Sequence, residues 1–262
     1  MSLHAAEVSI EGRVFTEVDV LPGAKVLAHR SYGDLLAGSA PLAEAKADKK
    51  GLYSLSLQPG EYFFSARGIS GGKEYFSYHG SNPIKLGEEK LWLALNATSD
   101  PEPVYGEGPT AVSGKITYQG RPLEGAFAVL YRADSKMLKG LGVKAGVVDS
   151  TGRFTLSAPA GNYLVIGKKI AGTKKNRPPK KGDFYCYYSK NPILVKEKQT
   201  VSIELACYPI KDRNESVTAP KVKTNDVKTF GDRPVNMQNA VPIGKTNASP
   251  AETKTPAQGV NK

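Results

Sequence analysis

Three histidines, two cysteines and a scatter of neighbouring carboxylates are the residues of this 262-residue chain that could do chemistry. His4, His29 and His79 lack the close spacing of metal ligands on one helix or turn. With only Cys186 and Cys207, neither a four-cysteine zinc site nor a CxxCH haem attachment can be built. The pair Glu88-Glu89 sits in a polar turn, facing solvent more readily than facing each other as a general acid and base. No Gly-x-Ser-x-Gly, His-Glu-x-x-His or phosphate-cradling loop occurs. The expectation is a chain with no catalytic residues, no metal and no cofactor: not an enzyme.

What remains is chemistry of contact. The net charge of +11 is uneven: residues 1–106 sum to −3, residues 107–211 to +11 and residues 212–262 to +3. The excess gathers in Lys168, Lys169, Lys174, Lys175, Arg177, Lys180 and Lys181, broken by Gly172 and Pro178-Pro179, which reads as a loop. Such a loop is either simply solvated or a docking site for phosphate, polysaccharide or an acidic protein. No aromatic residues are interleaved with these lysines, which disfavours a nucleic-acid groove. Aromatic side chains gather elsewhere, as Tyr75, Phe76 and Tyr78, and as Phe184, Tyr185, Tyr187 and Tyr188, each set followed by Asn-Pro. In a strand only half of each set can enter a core. The rest, with Tyr75, Tyr78, Tyr185, Tyr187 and Tyr188 as candidates, either contacts a sugar or protein partner or packs between two modules. The Asn-Pro pairs read as strand-ending turns.

The elements that would position these groups are written twice. VSIEGRVF, PGAKVLAHR and ADKKGLYSLSLQPGEYFFSARG return about a hundred residues later as AVSGKITY, PLEGAFAVLYR and VDSTGRFTLSAPAGNYLVIGKK. EYFSYHGSNPI returns as DFYCYYSKNPI, and LWLAL as VSIEL. Within each copy the apolar period is two, as in Val8, Ile10 and Val14 or Val201, Ile203 and Leu205, with glycine corners between the runs. About seven short strands per copy and no sustained helical period predict two antiparallel β-sandwiches. The most helix-like piece is Pro41 to Lys46, too short to matter.

Each copy resembles the carboxypeptidase regulatory-like domain, a small transthyretin-type (prealbumin-like) β-sandwich. The family pattern G-x-V/I, G-A-x-V, D-x-x-G-x-F/Y-x-L, G-x-Y is met by Gly12, Val14, Gly23, Ala24, Asp48, Gly51, Tyr53, Leu55, Gly60 and Tyr62. It is met again by Gly114, Ile116, Gly125, Ala126, Asp149, Gly152, Phe154, Leu156, Gly161 and Tyr163. The resemblance covers residues 7–98 and 110–207. It implies an all-β fold and a non-catalytic role, since such modules serve many unrelated proteins. Two enzymatic cousins of the sandwich, a purine-pathway hydrolase and the intradiol dioxygenases, need histidine ligands or a C-terminal segment that this sequence lacks.

Cys186 and Cys207 stand where the first copy has Ser77 and Ala97. Present together and absent together, they read as a disulfide joining the aromatic strand to the last strand, or else as two buried free thiols. A bridge would imply an oxidising compartment. No apolar run approaches the length of a membrane span. Ala5-Ala6 could be the remnant of a signal-peptide cleavage region. Residues 212–262 form a basic, low-complexity tail with too little apolar surface to order by itself. The expected organisation is therefore 1–105, first sandwich; 106–211, second sandwich; 212–262, flexible tail. The expected function is extracytoplasmic binding of an anionic polymer or protein at the cell surface, in a secreted or periplasmic setting. The alternative is a structural subunit of an extracellular assembly, a homo-oligomer through the tail.

Overall fold

Residues two apart in an extended chain share a face, so each alternating run can bury one side of a sheet and leave the other wet. The computed structural model, which describes residues 6–172 and 180–210, turns those runs into strands. The first copy holds β1 (Val8–Phe15), β2 (Lys25–His29), helix α1 (Tyr32–Ala37), β3 (Ala43–Lys46), β4 (Leu52–Leu57), β5 (Gly60–Ser70), β6 (Lys73–Tyr78), β7 (Ile84–Leu86) and β8 (Leu91–Asn96). After a connecting strand β9 (Val104–Glu107), the second copy begins with β10 (Ala111–Tyr118), β11 (Arg121–Pro122), β12 (Phe127–Arg132), β13 (Lys144–Val147) and β14 (Arg153–Ser157). It ends with β15 (Gly161–Lys169), β16 (Phe184–Tyr187), β17 (Ile193–Val195), β18 (Gln199–Ala206) and β19 (Tyr208–Pro209).

The two halves repeat one topology. Sheet β4-β1-β8 faces sheet β3-β2-β5-β6, with β7 beside β5. The counterpart of the first sheet is built on β14, β10 and β18, with β11 and β9 added. The counterpart of the second is β13-β12-β15-β16-β19, with β17 beside β15. Each sandwich thus carries an eighth repeated strand, the three-residue β7 or β17. One pair in each, β1 with β8 and β10 with β18, is parallel, where the sequence predicted antiparallel pairing throughout. The inner faces close two apolar cores. Ile10, Val14, Val26, Phe64, Leu93 and Leu95 are buried in the first; Val112, Ile116, Leu130, Val165, Ile203 and Leu205 are buried in the second.

The shared motif residues hold shape. Oδ1 of Asp48 accepts from the backbone N–H groups of Lys50 and Leu52 at 2.8 Å each. Oδ1 of Asp149 repeats this with Thr151 at 2.8 Å and Arg153 at 2.9 Å. The glycine that closes each turn, Gly51 or Gly152, has φ of 72° or 77°, which suits a residue without Cβ. The tyrosines of G-x-Y, Tyr62 and Tyr163, donate their hydroxyls to the carbonyls of Gln58 and Pro159. Asn82 and Asn191, whose bonds to the following prolines are cis, do more than end a strand. The amide of Asn82 accepts from Phe64 N–H and donates to Phe64 C=O, both at 2.9 Å. Asn191 does the same for Val165 at 2.8 and 2.9 Å. Each side chain bridges the gap that β6 or β16 leaves along β5 or β15, so the backbone groups of Phe64 and Val165 are not stranded.

Two local expectations change. Pro41 to Lys46 does not lean to helix: Ala43 and Ala45 pack on the first core while Glu44 and Lys46 are exposed, the alternation of strand β3. The helix lies upstream instead. Ser31 Oγ caps it by accepting from Asp34 N–H, and Gly38 ends it with φ of 64°. Six residues are too few to show a helical period, and only those caps marked it.

Candidate functional site

The outer faces of β2-β5-β6 and of β12-β15-β16 meet in a third apolar layer, where the aromatic strands pack on each other. Tyr32, Phe63 and Tyr78 from the first half join Val129, Tyr131, Leu164, Ile166, Tyr185, Tyr187 and Tyr208 from the second. Tyr78 and Tyr187 occupy the same place in the repeat, and their rings stack with centres 4.8 Å apart. Tyr78 also meets Tyr185 at 6.3 Å, and the repeat-related pair Tyr187 and Phe76 meets at 5.4 Å. Residue i touches j while the equivalent of j touches the equivalent of i, so the seam is close to two-fold, as in an isologous dimer. The hydroxyls find partners too: Tyr32 with Tyr187 at 3.0 Å, and Tyr208 with the carbonyl of Tyr78 at 2.7 Å. Burial drives these phenols to ionise well above their ordinary range, with Tyr187 pushed up to about 12.

The candidate aromatic contacts are thus mostly withdrawn from solvent. Tyr78, Tyr185 and Tyr187 lie in the seam and Tyr188 in the second core, all at 4% exposure or less, so these four are not a partner surface. Tyr75 alone is half-buried, packed on the first core with one side open.

The basic stretch divides as well. Lys168 is not in a loop: it lies on β15 inside the seam, 8% exposed, donating to the Tyr131 hydroxyl at 3.3 Å and the Leu138 carbonyl at 3.4 Å. Among the described residues no carboxylate pairs with it, and desolvation lowers its pKa to about 8. Lys169 follows, half-buried, and Lys180 and Lys181 are exposed ahead of β16. Lys174, Lys175 and Arg177 fall outside the described residues. The disulfide between Cys186 and Cys207 is present, with Cα atoms 4.3 Å apart, inside the second core.

The connection between halves is fastened by Asp100, 4% exposed. Its carboxylate accepts from Ser189 N–H at 2.7 Å, Ala206 N–H at 3.0 Å and Thr98 Oγ1 at 3.3 Å. Its own N–H donates to Ser189 Oγ at 2.9 Å. Burial raises the pKa of this carboxyl against the opposing pull of those hydrogen bonds.

At one end of the seam the surface opens into a groove of about 660 Å³. Its walls are Pro22, Leu35, Leu36, Ile69, Tyr75 and Phe76 from the first half, with Tyr187, Ser189 and Lys190 from the second. Across the first-half sheet, register sets Lys46 of β3 opposite Lys25 of β2, Lys25 opposite Arg67 of β5, and Arg67 opposite Phe76 of β6. Three cations therefore stand side by side on neighbouring strands, spanning roughly 10 Å. Lys25 pairs with Glu44 at 3.0 Å and Lys190 with Glu102 at 2.8 Å. Among the described residues no carboxylate lies within ion-pair distance of Lys46 or Arg67. The Arg67 guanidinium carbon sits 5.3 Å from the Phe76 ring centre, steadied over an aromatic face.

Like charges directly opposite in a sheet destabilise it, and the second copy shows that the sandwich does not need them. The equivalent row is Val147, Phe127, Lys168 and Tyr185. There the counterpart of Arg67 is buried, its ammonium against the Tyr131 hydroxyl and the Leu138 carbonyl. Sequence reasoning missed Lys25, Lys46 and Arg67 because the excess charge lies in the other half, and Lys190 because it stands apart from the basic cluster there. The signal available was that two of these positions are charged in one copy and apolar in the other.

No family model matches the chain, and no curated protein is similar to it. Among solved structures it is similar to the Bacillus anthracis TIE protein, at 16% identity and a TM-score of 0.24, over 78% of this chain and 34% of that one. It is similar to a leucine-rich repeat protein from Bacteroides thetaiotaomicron, at 13% and 0.27, over 78% and 26%. It is also similar to BcpA, the major pilin subunit of Bacillus cereus, at 11% and 0.25, over 78% and 100%. The chain thus spans about a third and about a quarter of the first two. Among the described residues there is no group of three or more histidine, cysteine, aspartate or glutamate side chains placed to hold a metal, and no helix long and apolar enough to cross a membrane.

Proposed function

We propose that this chain is a non-catalytic binding module that works outside the cytoplasm and takes an anionic partner in the groove at the end of the tyrosine seam. The observation that carries this is the row Lys46, Lys25 and Arg67, unneutralised at two of its three positions and absent from the equivalent place in the second copy. The disulfide supports an oxidising compartment, so a secreted, periplasmic or cell-surface setting. We take the two halves to be tandem modules of the carboxypeptidase regulatory-like type, joined near residue 105. The alternative of an assembly subunit strapped by residues 212–262 rests on residues outside those described.

The test is binding of the full chain to anionic polymers at rising salt. The affinity should fall with ionic strength, and the double variant K46Q/R67Q should lose most of it with its thermal unfolding temperature unchanged or raised. Full affinity retained in that variant overturns the assignment of the groove.

A further inference from the structure

We infer that the ligand of this groove is a carboxylated sugar chain, a linear polyuronate, an inference that rests on the groove being the binding site. Four features of the site select it. The first is charge density. Lys25, Lys46, Arg67 and Lys190 are set against Glu44, Glu74 and Glu102, which line the groove or pair with its cations, so four positive charges meet three negative ones. A site so nearly balanced suits a ligand with about one charge per ring and repels a polyphosphate or a heavily sulfated chain. The second is that each free cation has its own geometry. Arg67 is steadied over Phe76 and presents a planar fork that matches a carboxylate with two parallel hydrogen bonds. Lys46, two strands away, offers a point charge on a flexible stem.

The third feature is the lining. Pro22, Leu36, Ile69, Tyr75 and Phe76 give apolar and aromatic surface between the cations, and Ile69 is 68% exposed. A pyranose ring has an apolar C–H face that can lie on such surface while its carboxylate turns to a cation. A chain of aspartate or glutamate leaves that surface wet. The fourth feature is the backbone. The cations stand on β3, β2 and β5, and β2 and β5 are interior to the order β3-β2-β5-β6, so their main-chain groups are taken on both sides. Among these three, an extended peptide could pair only along the edge strand β3, so recognition at Lys25 and Arg67 is left to side chains. The two-fold related end of the seam supplies the contrast: with Val147 and Phe127 in the row and Lys168 buried, it holds no such surface.

The experiment measures binding of the full chain, by calorimetry at fixed salt, to four probes: polygalacturonate, its methyl ester, poly-glutamate and dextran sulfate. Polygalacturonate should bind, and the methyl ester, with the same rings but no charge, should bind about tenfold more weakly or not at all. R67K should weaken polygalacturonate about tenfold because the fork is lost, while K136Q/K139Q, far along the chain, should not. Equal or tighter binding of poly-glutamate or dextran sulfate, still sensitive to K46Q/R67Q, overturns the polyuronate and leaves the groove as an anion site. Equal binding of the methyl ester overturns the charge argument. No binding of any of the four overturns both readings.

Discussion

Replacing Lys168 by methionine should make the protein more stable at neutral pH. Its ammonium is buried with two long hydrogen bonds and, among the described residues, no counter-charge, and its pKa falls from 10.5 to about 8 through desolvation. A fall from 10.5 to about 8 corresponds to about 3 kcal/mol of penalty for the charged form. The two lost hydrogen bonds, at about 1 kcal/mol or less each given their length, offset part of the gain. Tyr131 keeps its 2.7 Å bond to the Gly140 carbonyl, so its hydroxyl is not orphaned. K168M should therefore gain about 1–2 kcal/mol, or roughly 3–6 °C in melting temperature for a domain pair of this size. The pH dependence has a definite sign. Below pH 8 both folded and unfolded chains hold the proton, and the wild type carries the whole penalty. Between pH 8 and 10.5 the unfolded chain still binds a proton that the folded chain has released, so wild-type stability rises with pH. Urea unfolding followed by fluorescence at pH 7.0 and 9.5 should show the gap between K168M and wild type closing as pH rises. A K168M protein less stable than wild type at pH 7, or a gap indifferent to pH, refutes the reasoning.

Three further outcomes follow from the packing. Eight tyrosines, Tyr32, Tyr53, Tyr78, Tyr131, Tyr185, Tyr187, Tyr188 and Tyr208, have folded pKa values raised by burial. The stability they contribute is present below pH 10 and lost above it, so their absorbance at 295 nm should rise in one step with unfolding; ionisation of all thirteen tyrosines near pH 10 while the protein stays folded would contradict their burial. Grafting the first-half residues onto the second as C186S/C207A should lower stability by about 3 kcal/mol, the loop-closure value for a separation of 21 residues; an unchanged urea midpoint under non-reducing conditions would count against it. N191A strands the N–H of Val165, while its C=O keeps the Tyr188 N–H at 3.2 Å, and should cost about 1–3 kcal/mol, with N191D retaining the acceptor and losing less; a loss under 0.5 kcal/mol in N191A would show that the bridge does not matter.

Local chemistry was legible in the residues. Alternation at period two, glycine corners and the Asp-x-x-Gly turns each act over a few positions, so two copies of one strand order could be read directly, and so could the pairing of Cys186 with Cys207 against Ser77 and Ala97. The eighth strand and helix α1 escaped because three or six residues carry no period. Cross-strand neighbours are set by register between segments far apart in sequence, and no local pattern encodes that. Only the folded chain placed Lys46, Lys25 and Arg67 in a row, buried Lys168 out of its apparent loop, and turned the tyrosines inward to a seam. Net charge pointed to the second half because it sums over sequence, whereas a ligand meets the few side chains that tertiary packing brings to one face.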